Sequence, residues 1–181
     1  IDVDVFLSER DEANETMVDY EVTSGTTATE GSDFVLADGT LTFPIWTQPS
    51  DTVRTITIPI TDDNIDEDDE IIEISLVGAT NASLGDTTVF TYTIQDNDIA
   101  PEVTFNDATS QVIENAGTVE IPVILSAAST KTVSVDYSIN GSSTAISGGG
   151  DYNLIEGTLD FVNGDTVEFI SISLFNDIIQ E

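Results

Sequence analysis

Apolar and polar residues alternate along most of the chain with a period of two residues. Because successive side chains of a β-strand point to opposite faces of the sheet, this period is typical of strands that bury one face. Gly, Asp, Asn and Ser separate the alternating runs, and no stretch has the i, i+3, i+4 spacing of an amphipathic helix. Many short strands with turns between them predict an all-β protein built as a β-sandwich. The apolar positions that carry the pattern are Val3, Val5 and Leu7; Val18, Tyr20 and Val22; Leu41 and Phe43; Ile56, Ile58 and Ile60; Ile72, Ile74 and Leu76; and Phe90, Tyr92 and Ile94.

The chain also repeats itself. Three segments return in the same order, with offsets of 117, 118 and 114 residues: VDYEV as VDYSI, GSDFVLADGTLTF as GGDYNLIEGTLDF, and ITIPITDDNIDE as ISISLFNDIIQE. Self-similarity at a nearly constant offset indicates two structural units of the same kind. A fourth pair aligns IDVDVFLS at residues 1–8 with VEIPVILS at residues 119–126.

The two repeats are predicted to span residues 1–98 and 101–181, with their boundary in the segment DNDIAPEV. Pro101 stiffens this short linker, because proline restricts its own φ and the conformation of the residue before it. In the alignment the first repeat lacks the strand around PEVTFND that opens the second. The second repeat lacks counterparts of IIEISLVG and VFTYTIQDND. We therefore expect two tandem β-sandwiches that are both incomplete, as in a window cut from a longer array.

Charge narrows the choice of partners. The chain carries 35 acidic residues against three basic ones, for a formal net charge of −32. This charge disfavours nucleic acid and anionic membrane surfaces, which both require Lys and Arg. No apolar stretch is long enough for direct membrane insertion. The absence of Cys and His excludes thiolate nucleophiles, Cys/His zinc sites and His-based acid–base catalysis. A metal ion is the simplest partner for such a chain.

The densest charge lies in DDNIDEDDE at residues 62–70, where seven of nine side chains are carboxylic acids. Acidic runs are ordinarily solvated loops, but this one is short and joins two strand patterns, TITIPI and IIEISL. Two carboxylates about 6 Å apart repel by roughly 0.7 kcal/mol even at the dielectric constant of water. A folded loop with many such pairs requires a cation. Ca²⁺ fits better than Mg²⁺, because it accepts six to eight oxygens in irregular geometry.

Two other interpretations of the acidic run fit the sequence less well. In an EF-hand, Asp62, Asn64, Asp66 and Glu73 would occupy loop positions 1, 3, 5 and 12. Position 6 requires glycine and holds Glu67, and strand patterns flank the loop where helices belong, so the EF-hand is rejected. Paired carboxylates also cleave glycosides, but that reaction requires one protonated acid held apart from its partner. A dense cluster provides no such asymmetry, so we do not expect an enzyme.

Three separated acidic motifs in this order resemble the Calx-β domain family. In the first repeat they are GSDFVLADGTLTF, ITIPITDDNIDEDDEIIEISL and YTIQDND, and in the second ENAGTVEI, GGDYNLIEGTLDF and ISISLFNDIIQE. The resemblance implies immunoglobulin-like sandwiches that bind Ca²⁺ at loops on one end. The family occurs in the regulatory region of sodium–calcium exchangers, in an integrin subunit and in tandem arrays of large bacterial surface and matrix proteins.

The resemblance also implies the Ca²⁺ ligands. In the first repeat they are Asp33, Asp62, Asp63, the carbonyl of Ile65, Glu67, Glu70, Asp96 and Asp98. In the second they are Glu114, Asp151, Asp177 and Glu181, where Asn176, Ile178 and Gln180 dilute the loop, so we expect a weak or empty site. Asp68 and Asp69 are interpreted as solvent-facing charge.

The favoured function is a Ca²⁺-binding structural segment of an extracellular adhesin, matrix or surface-fibre protein, with Ca²⁺ rigidifying the junction between repeats. Its expected partners are Ca²⁺, neighbouring repeats or subunits of the same protein, and a cell-surface or glycan target. Three features support this hypothesis: the two-residue spacer before Pro101, the Thr-rich strands and the absence of cysteine. The alternative is a cytosolic Ca²⁺-sensing regulatory domain of a membrane transporter.

Overall fold

The chain is all-β, as predicted. The computed structural model describes residues 1–9, 12–45, 47–148 and 150–176. Across these residues it contains twelve strands and two short 3-10 turns, at Pro49–Thr52 and Glu114–Ala116. No helix of the described residues has the length and apolar character needed to cross a membrane. The strands are β1 Asp2–Phe6, β2 Thr16–Val22, β3 Gly39–Phe43, β4 Val53–Thr57, β5 Glu70–Thr80, β6 Val89–Ile94, β7 Val103–Phe105, β8 Thr118–Leu125, β9 Val133–Tyr137, β10 Tyr152–Asn153, β11 Gly157–Phe161 and β12 Val167–Leu174.

The chain forms two compact units. The first unit contains Ile1–Asp63 and Asp69–Asp96, and the second contains Asn64–Asp68 and Asn97–Glu181. The tip of the acidic run, Asn64–Asp68, therefore packs with the second unit although it belongs in sequence to the first repeat.

The first unit is a sandwich of two antiparallel sheets, β1-β4 and β3-β2-β5-β6. Side chains from both sheets and from the connecting segments meet in one core, because every second residue of each strand faces inward. The fully buried side chains include Phe34 and Ile72, and burying one of this size stabilises the fold by about 1.5–3 kcal/mol. The buried core residues are Ala28, Phe34, Leu36, Ile56, Ile58, Ile72 and Ile74.

Threonine side chains connect the segment after β2 to the start of β5. The backbone amides of Thr23 and Thr27 donate hydrogen bonds at 2.9 Å to the carbonyls of Glu73 and Ile71, respectively. In return, the Ile71 amide donates to Thr27 Oγ1 and the Glu73 amide donates to Thr26 Oγ1, each at 2.9 Å. The hydroxyls replace ladder bonds that an irregular segment cannot make. These bonds hold residues 23–27 beside the start of β5, where the acidic run ends.

The second unit repeats the architecture with the sheets β10-β12-β8-β7 and β11-β9. Strands β8, β9 and β11 correspond in the repeat alignment to β1, β2 and β3. The core again lies between the two sheets and takes side chains from both, which confirms the prediction of tandem sandwiches. Its buried residues are Val123, Leu125, Leu159, Phe161 and Ile170.

Candidate metal centre

The acidic run at residues 62–70 connects β4 to β5, and the core holds it at both ends. Before the run, Ile60 forms an isolated antiparallel bridge with the buried Phe34. At its end, Glu70 begins β5 and pairs with Ile94 of β6. These anchors limit the conformations open to the carboxylates between them.

Three of the predicted ligands converge at this loop. The carboxylates of Asp33, Glu67 and Glu70 each place an oxygen within 4.8 Å of the other two, and all three residues are half-buried. Two oxygens on opposite sides of a Ca²⁺ ion, each about 2.4 Å from it, lie roughly 4.8 Å apart. The spacing and the oxygen-only donor set therefore fit Ca²⁺. In the described part of the chain, no other group of three acidic side chains has this spacing.

Backbone hydrogen bonds on both sides position Asp33. The Thr29 amide donates to Asp33 Oδ2 at 2.5 Å, and the Asp33 amide donates to the Thr29 carbonyl at 3.0 Å. The Thr61 amide donates to the Asp33 carbonyl at 2.8 Å. Thr61 directly precedes the acidic run, and Phe34, beside Asp33, is only 1% exposed. Asp33 is thus held against the run although 29 residues separate it from Asp62.

The other five predicted ligands of the first repeat lie outside this three-carboxylate group. Asp62 and Asp63 are exposed, whereas Ile65, Asp96 and Asp98 are half-buried. Because Ca²⁺ takes six to eight oxygens, three carboxylates leave positions for further ligands or water. The participation of these five residues stays a prediction.

Asp66 was not among the predicted ligands, and the structure gives it a different role. It is 6% exposed, its Oδ2 accepts a hydrogen bond from Ser129 Oγ at 2.8 Å, and its Oδ1 accepts one from Lys131 Nζ at 2.8 Å. The hydrogen bond from Lys131, followed by that from Ser129, holds the pKa of the Asp66 carboxyl below its usual value. Both carboxylate oxygens are thus engaged by the protein. The available sequence signal was Lys131, the one lysine of the chain.

Backbone bonds reinforce this anchor. The Asp66 carbonyl accepts hydrogen bonds from Ser129 Oγ at 2.9 Å and from the Thr130 amide at 3.1 Å. Lys131 Nζ also lies 3.7 Å from Asp68 Oδ1, whose side chain is 90% exposed. The tip of the run is therefore held through Asp66, while Glu67 beside it joins the three-carboxylate group.

Asp69 also differs from its interpretation as solvent-facing charge alone. It is exposed, but its Oδ1 accepts a hydrogen bond from the Asp96 amide at 3.0 Å. Nothing in the spacing of the acidic residues distinguishes Asp69 from Asp68, so only the structure reveals this contact.

In the second unit, the structure places Glu114 and Asp151 near the end of β12. The Phe175 amide donates to the Asp151 carbonyl at 2.9 Å, and the Leu174 amide donates to the Gly117 carbonyl at 2.6 Å. The Ile146 amide donates to Asp151 Oδ2 at 2.5 Å, as Thr29 does to Asp33. A similar bond therefore positions the aspartate of each repeat, from four residues upstream in the first and five in the second. The predicted ligands Asp177 and Glu181 lie outside the described residues.

Comparison with known proteins supports the family resemblance. A family model described as the Calx-beta domain matches residues 1–98 and again residues 96–181. Sodium/calcium exchanger 1 of Bos taurus is 33% identical over 187 residues, covering 92% of this chain and 18% of the exchanger. Sodium/calcium exchanger 2 of Rattus norvegicus is 31% identical over 187 residues, covering 92% of this chain and 19% of the exchanger. The chain thus spans less than a fifth of these relatives.

Two solved structures also match. The calcium binding domain CBD12 of CALX1.1 is 26% identical, with a TM-score of 0.48, and the match covers 98% of this chain and 70% of that one. CBD12 from CALX1.2 is 27% identical, with a TM-score of 0.47, and the match covers 96% of this chain and 68% of that one.

These comparisons correct the favoured function. The expectation of a segment from an extracellular adhesin, matrix or surface-fibre protein is wrong, because the curated relatives that match nearly the whole chain are sodium/calcium exchangers. The expected extracellular or cell-surface location is wrong for the same reason. The expected cell-surface or glycan target receives no support from these relatives. Thr-rich alternating strands are typical of a sandwich in any compartment. The absence of cysteine removes the disulfide evidence that would report the compartment, so neither feature indicates location.

Proposed function

The chain belongs to the Calx-beta domain family, and we propose that it is a cytosolic Ca²⁺-sensing regulatory segment of a membrane transporter of the sodium/calcium exchanger type. The observation that carries the proposal is the convergence of the Asp33, Glu67 and Glu70 carboxylates. The names of the relatives supply the transporter class. The proposed role is binding, because the charged groups form one dense oxygen cluster and not an asymmetric acid–base pair.

The proposed donor set extends the three-carboxylate group. The further proposed donors lie in the acidic run and in QDND at residues 95–98, the exit motif after β6. They are Asp62, Asp63, the Ile65 carbonyl, Asp96 and Asp98. Bound Ca²⁺ would supply the positive charge that offsets repulsion between these carboxylates. For the second repeat, we propose a weaker site with Glu114 and Asp151, to which Asp177 and Glu181 would contribute.

Ca²⁺ binding is tested by calorimetric titration of the 181-residue chain. We expect Glu67→Gln and Glu70→Gln to weaken binding roughly tenfold or more, because affinity depends on the number of charged ligands. Asp86→Asn, an exposed acid in the loop between β5 and β6, removes the same charge away from the group and should bind as the unaltered chain does. Equal affinity in all four proteins would contradict the proposed site.

The regulatory role requires a separate measurement in a full-length transporter that contains this chain. We expect its transport current to depend on the Ca²⁺ concentration on the cytosolic side. Glu67→Gln should move that dependence to a higher concentration, while Asp86→Asn should leave it in place. A current that is insensitive to cytosolic Ca²⁺ in the unaltered protein would refute the sensing role even if the chain binds the ion.

A further inference from the structure

The ladder between β5 and β6 ends beside the proposed Ca²⁺ site. Its last pair in this direction is Glu70 with Ile94. Beyond that pair, the Asp96 amide donates to Asp69 Oδ1 at 3.0 Å. A side chain here continues the connection between the two segments past the end of the ladder.

This bond acts on the exit motif QDND at residues 95–98, which carries the proposed ligands Asp96 and Asp98. The exit motif and the acidic run are both negatively charged, so without a contact between them their repulsion favours separation. A carboxylate that accepts from a backbone amide makes a charge-assisted hydrogen bond, which is stronger than a neutral one. The Asp69 carboxylate therefore attracts the Asp96 amide, although it repels the carboxylates of the same segment.

Asp69 has a different orientation from its neighbour Glu70. Glu70 joins the three-carboxylate group, whereas Asp69 does not. Successive residues of an extended segment point to opposite sides, which accounts for the difference. Asp69 thus contacts the chain that carries proposed ligands, and it acts on the site through Asp96.

We propose that Asp69 is a positioning residue for the Ca²⁺ site, which holds the Asp96 segment beside Glu70 before the ion binds. This inference rests on the proposed function. Without the bond, the exit motif must be ordered when the ion arrives, and that cost reduces affinity. Loss of one such hydrogen bond is expected to weaken Ca²⁺ binding roughly three- to tenfold.

The test compares four variants of the 181-residue chain by calorimetric titration with Ca²⁺. Asp69→Ala removes the acceptor and the charge, whereas Asp69→Asn keeps an acceptor oxygen and removes only the charge. Asp68→Ala and Asp68→Asn are matched controls, because Asp68 is adjacent and its side chain is 90% exposed. We expect Asp69→Ala to bind more weakly than Asp68→Ala by the stated factor. Asp69→Asn should bind more tightly than Asp69→Ala, because it keeps an acceptor for the Asp96 amide, although the neutral hydrogen bond is weaker than the charge-assisted one.

A second readout needs no Ca²⁺. Hydrogen exchange of the Asp96 amide, followed by NMR in EDTA, should be slow in the unaltered chain and in Asp69→Asn, and faster in Asp69→Ala. Equal exchange in all three proteins, or equal Ca²⁺ affinity of Asp69→Ala and Asp68→Ala, would overturn the inference. Binding as weak in Asp69→Asn as in Asp69→Ala would overturn it too, since the charge alone would then matter. Failure of the unaltered chain to bind Ca²⁺ would instead remove the proposed function and this inference with it.

Discussion

At the scale of single residues, neighbouring acids of the 62–70 run have different partners. Glu67 joins Asp33 and Glu70, while Asp66 is buried against Ser129 and Lys131. A carboxylate is stable in a folded loop when a hydrogen-bond donor or a cation compensates its charge. These side chains are all carboxylic acids, so the role of each one depends on the partner that lies beside it.

Asp51 is a second buried carboxylate, and it lies outside the metal centre. It is 8% exposed, and its Oδ2 accepts hydrogen bonds from the Thr47 amide at 2.8 Å, Thr47 Oγ1 at 2.9 Å and the Gln48 amide at 2.9 Å. The bonds from the backbone amides, that of Thr47 first, hold the pKa of the Asp51 carboxyl below its usual value. Because the charged form is favoured by folding, its contribution to stability is present above the unfolded pKa and is lost as pH falls through the folded one.

We expect Asp51→Asn, which resembles the protonated carboxyl, to be less stable than the unaltered chain near neutral pH. The difference in unfolding free energy should shrink as the pH falls below the ordinary value of 3.8. Urea unfolding at a series of pH values measures it, with Asp86→Asn as the control for loss of one exposed charge. A difference in unfolding free energy that is the same at every pH measured would contradict this account.

At the scale of elements, the two repeats share a contact between paired strands. Tyr20 of β2 lies opposite Gly39 of β3, and Tyr137 of β9 lies opposite Gly157 of β11. A Cβ at Gly39 would lie 2.6 Å from Tyr20 Oη, and one at Gly157 would lie 3.2 Å from Tyr137 Oη. In both pairs the aromatic ring occupies the space that the glycine leaves open, which pins the register of the strands.

We expect Gly39→Ala to destabilise the chain by about 1–2 kcal/mol, because the new methyl group forces the Tyr20 ring to move. Gly157→Ala should cost less, since its closest contact is longer. Urea unfolding followed by circular dichroism measures both. In a double-mutant cycle, Tyr20→Phe removes the nearest atom and should reduce the cost of Gly39→Ala. An unchanged cost in the Tyr20→Phe background would show that the ring is not responsible.

At the scale of the whole molecule, a net charge of −32 opposes the compact state, while the two apolar cores favour it. The densest part of the opposing charge lies in the acidic run at residues 62–70, which contributes two members of the three-carboxylate group. A ligand that binds only the folded chain there shifts the balance toward folding.

We therefore expect Ca²⁺ to raise the thermal midpoint of the chain above its value in EDTA at matched ionic strength. At a hundredfold excess over Kd, the stabilisation is about 2.7 kcal/mol. Matching the ionic strength separates binding from general screening, which weakens interactions between charges more than about 10 Å apart at 0.1 M salt. Glu67→Gln should show a smaller shift. Identical midpoints with and without millimolar Ca²⁺ would disprove specific binding by the folded chain.

The sequence by itself determined the fold class, the repeat and the family. Period-two alternation reports strands directly, because burial of one face is a local property of each strand. Two copies of one pattern at a nearly constant offset indicate two sandwiches whatever their contacts. Motif order was specific enough to identify the Calx-beta family and to nominate Asp33, Glu67 and Glu70. Motifs did not report location, and the extracellular assignment was wrong for that reason.

Only the tertiary structure decided which acids of the run meet. Asp33 joins Glu67 and Glu70 because Thr61 bonds the Asp33 carbonyl and Phe34 is buried beside it, and neither contact is visible in spacing. The structure also separated Asp66 and Asp69 from their neighbours by giving them donors from distant parts of the chain. In sequence these carboxylates are equivalent. Their roles depend on which donor lies within hydrogen-bond distance, and the sequence around each carboxylate does not specify that donor.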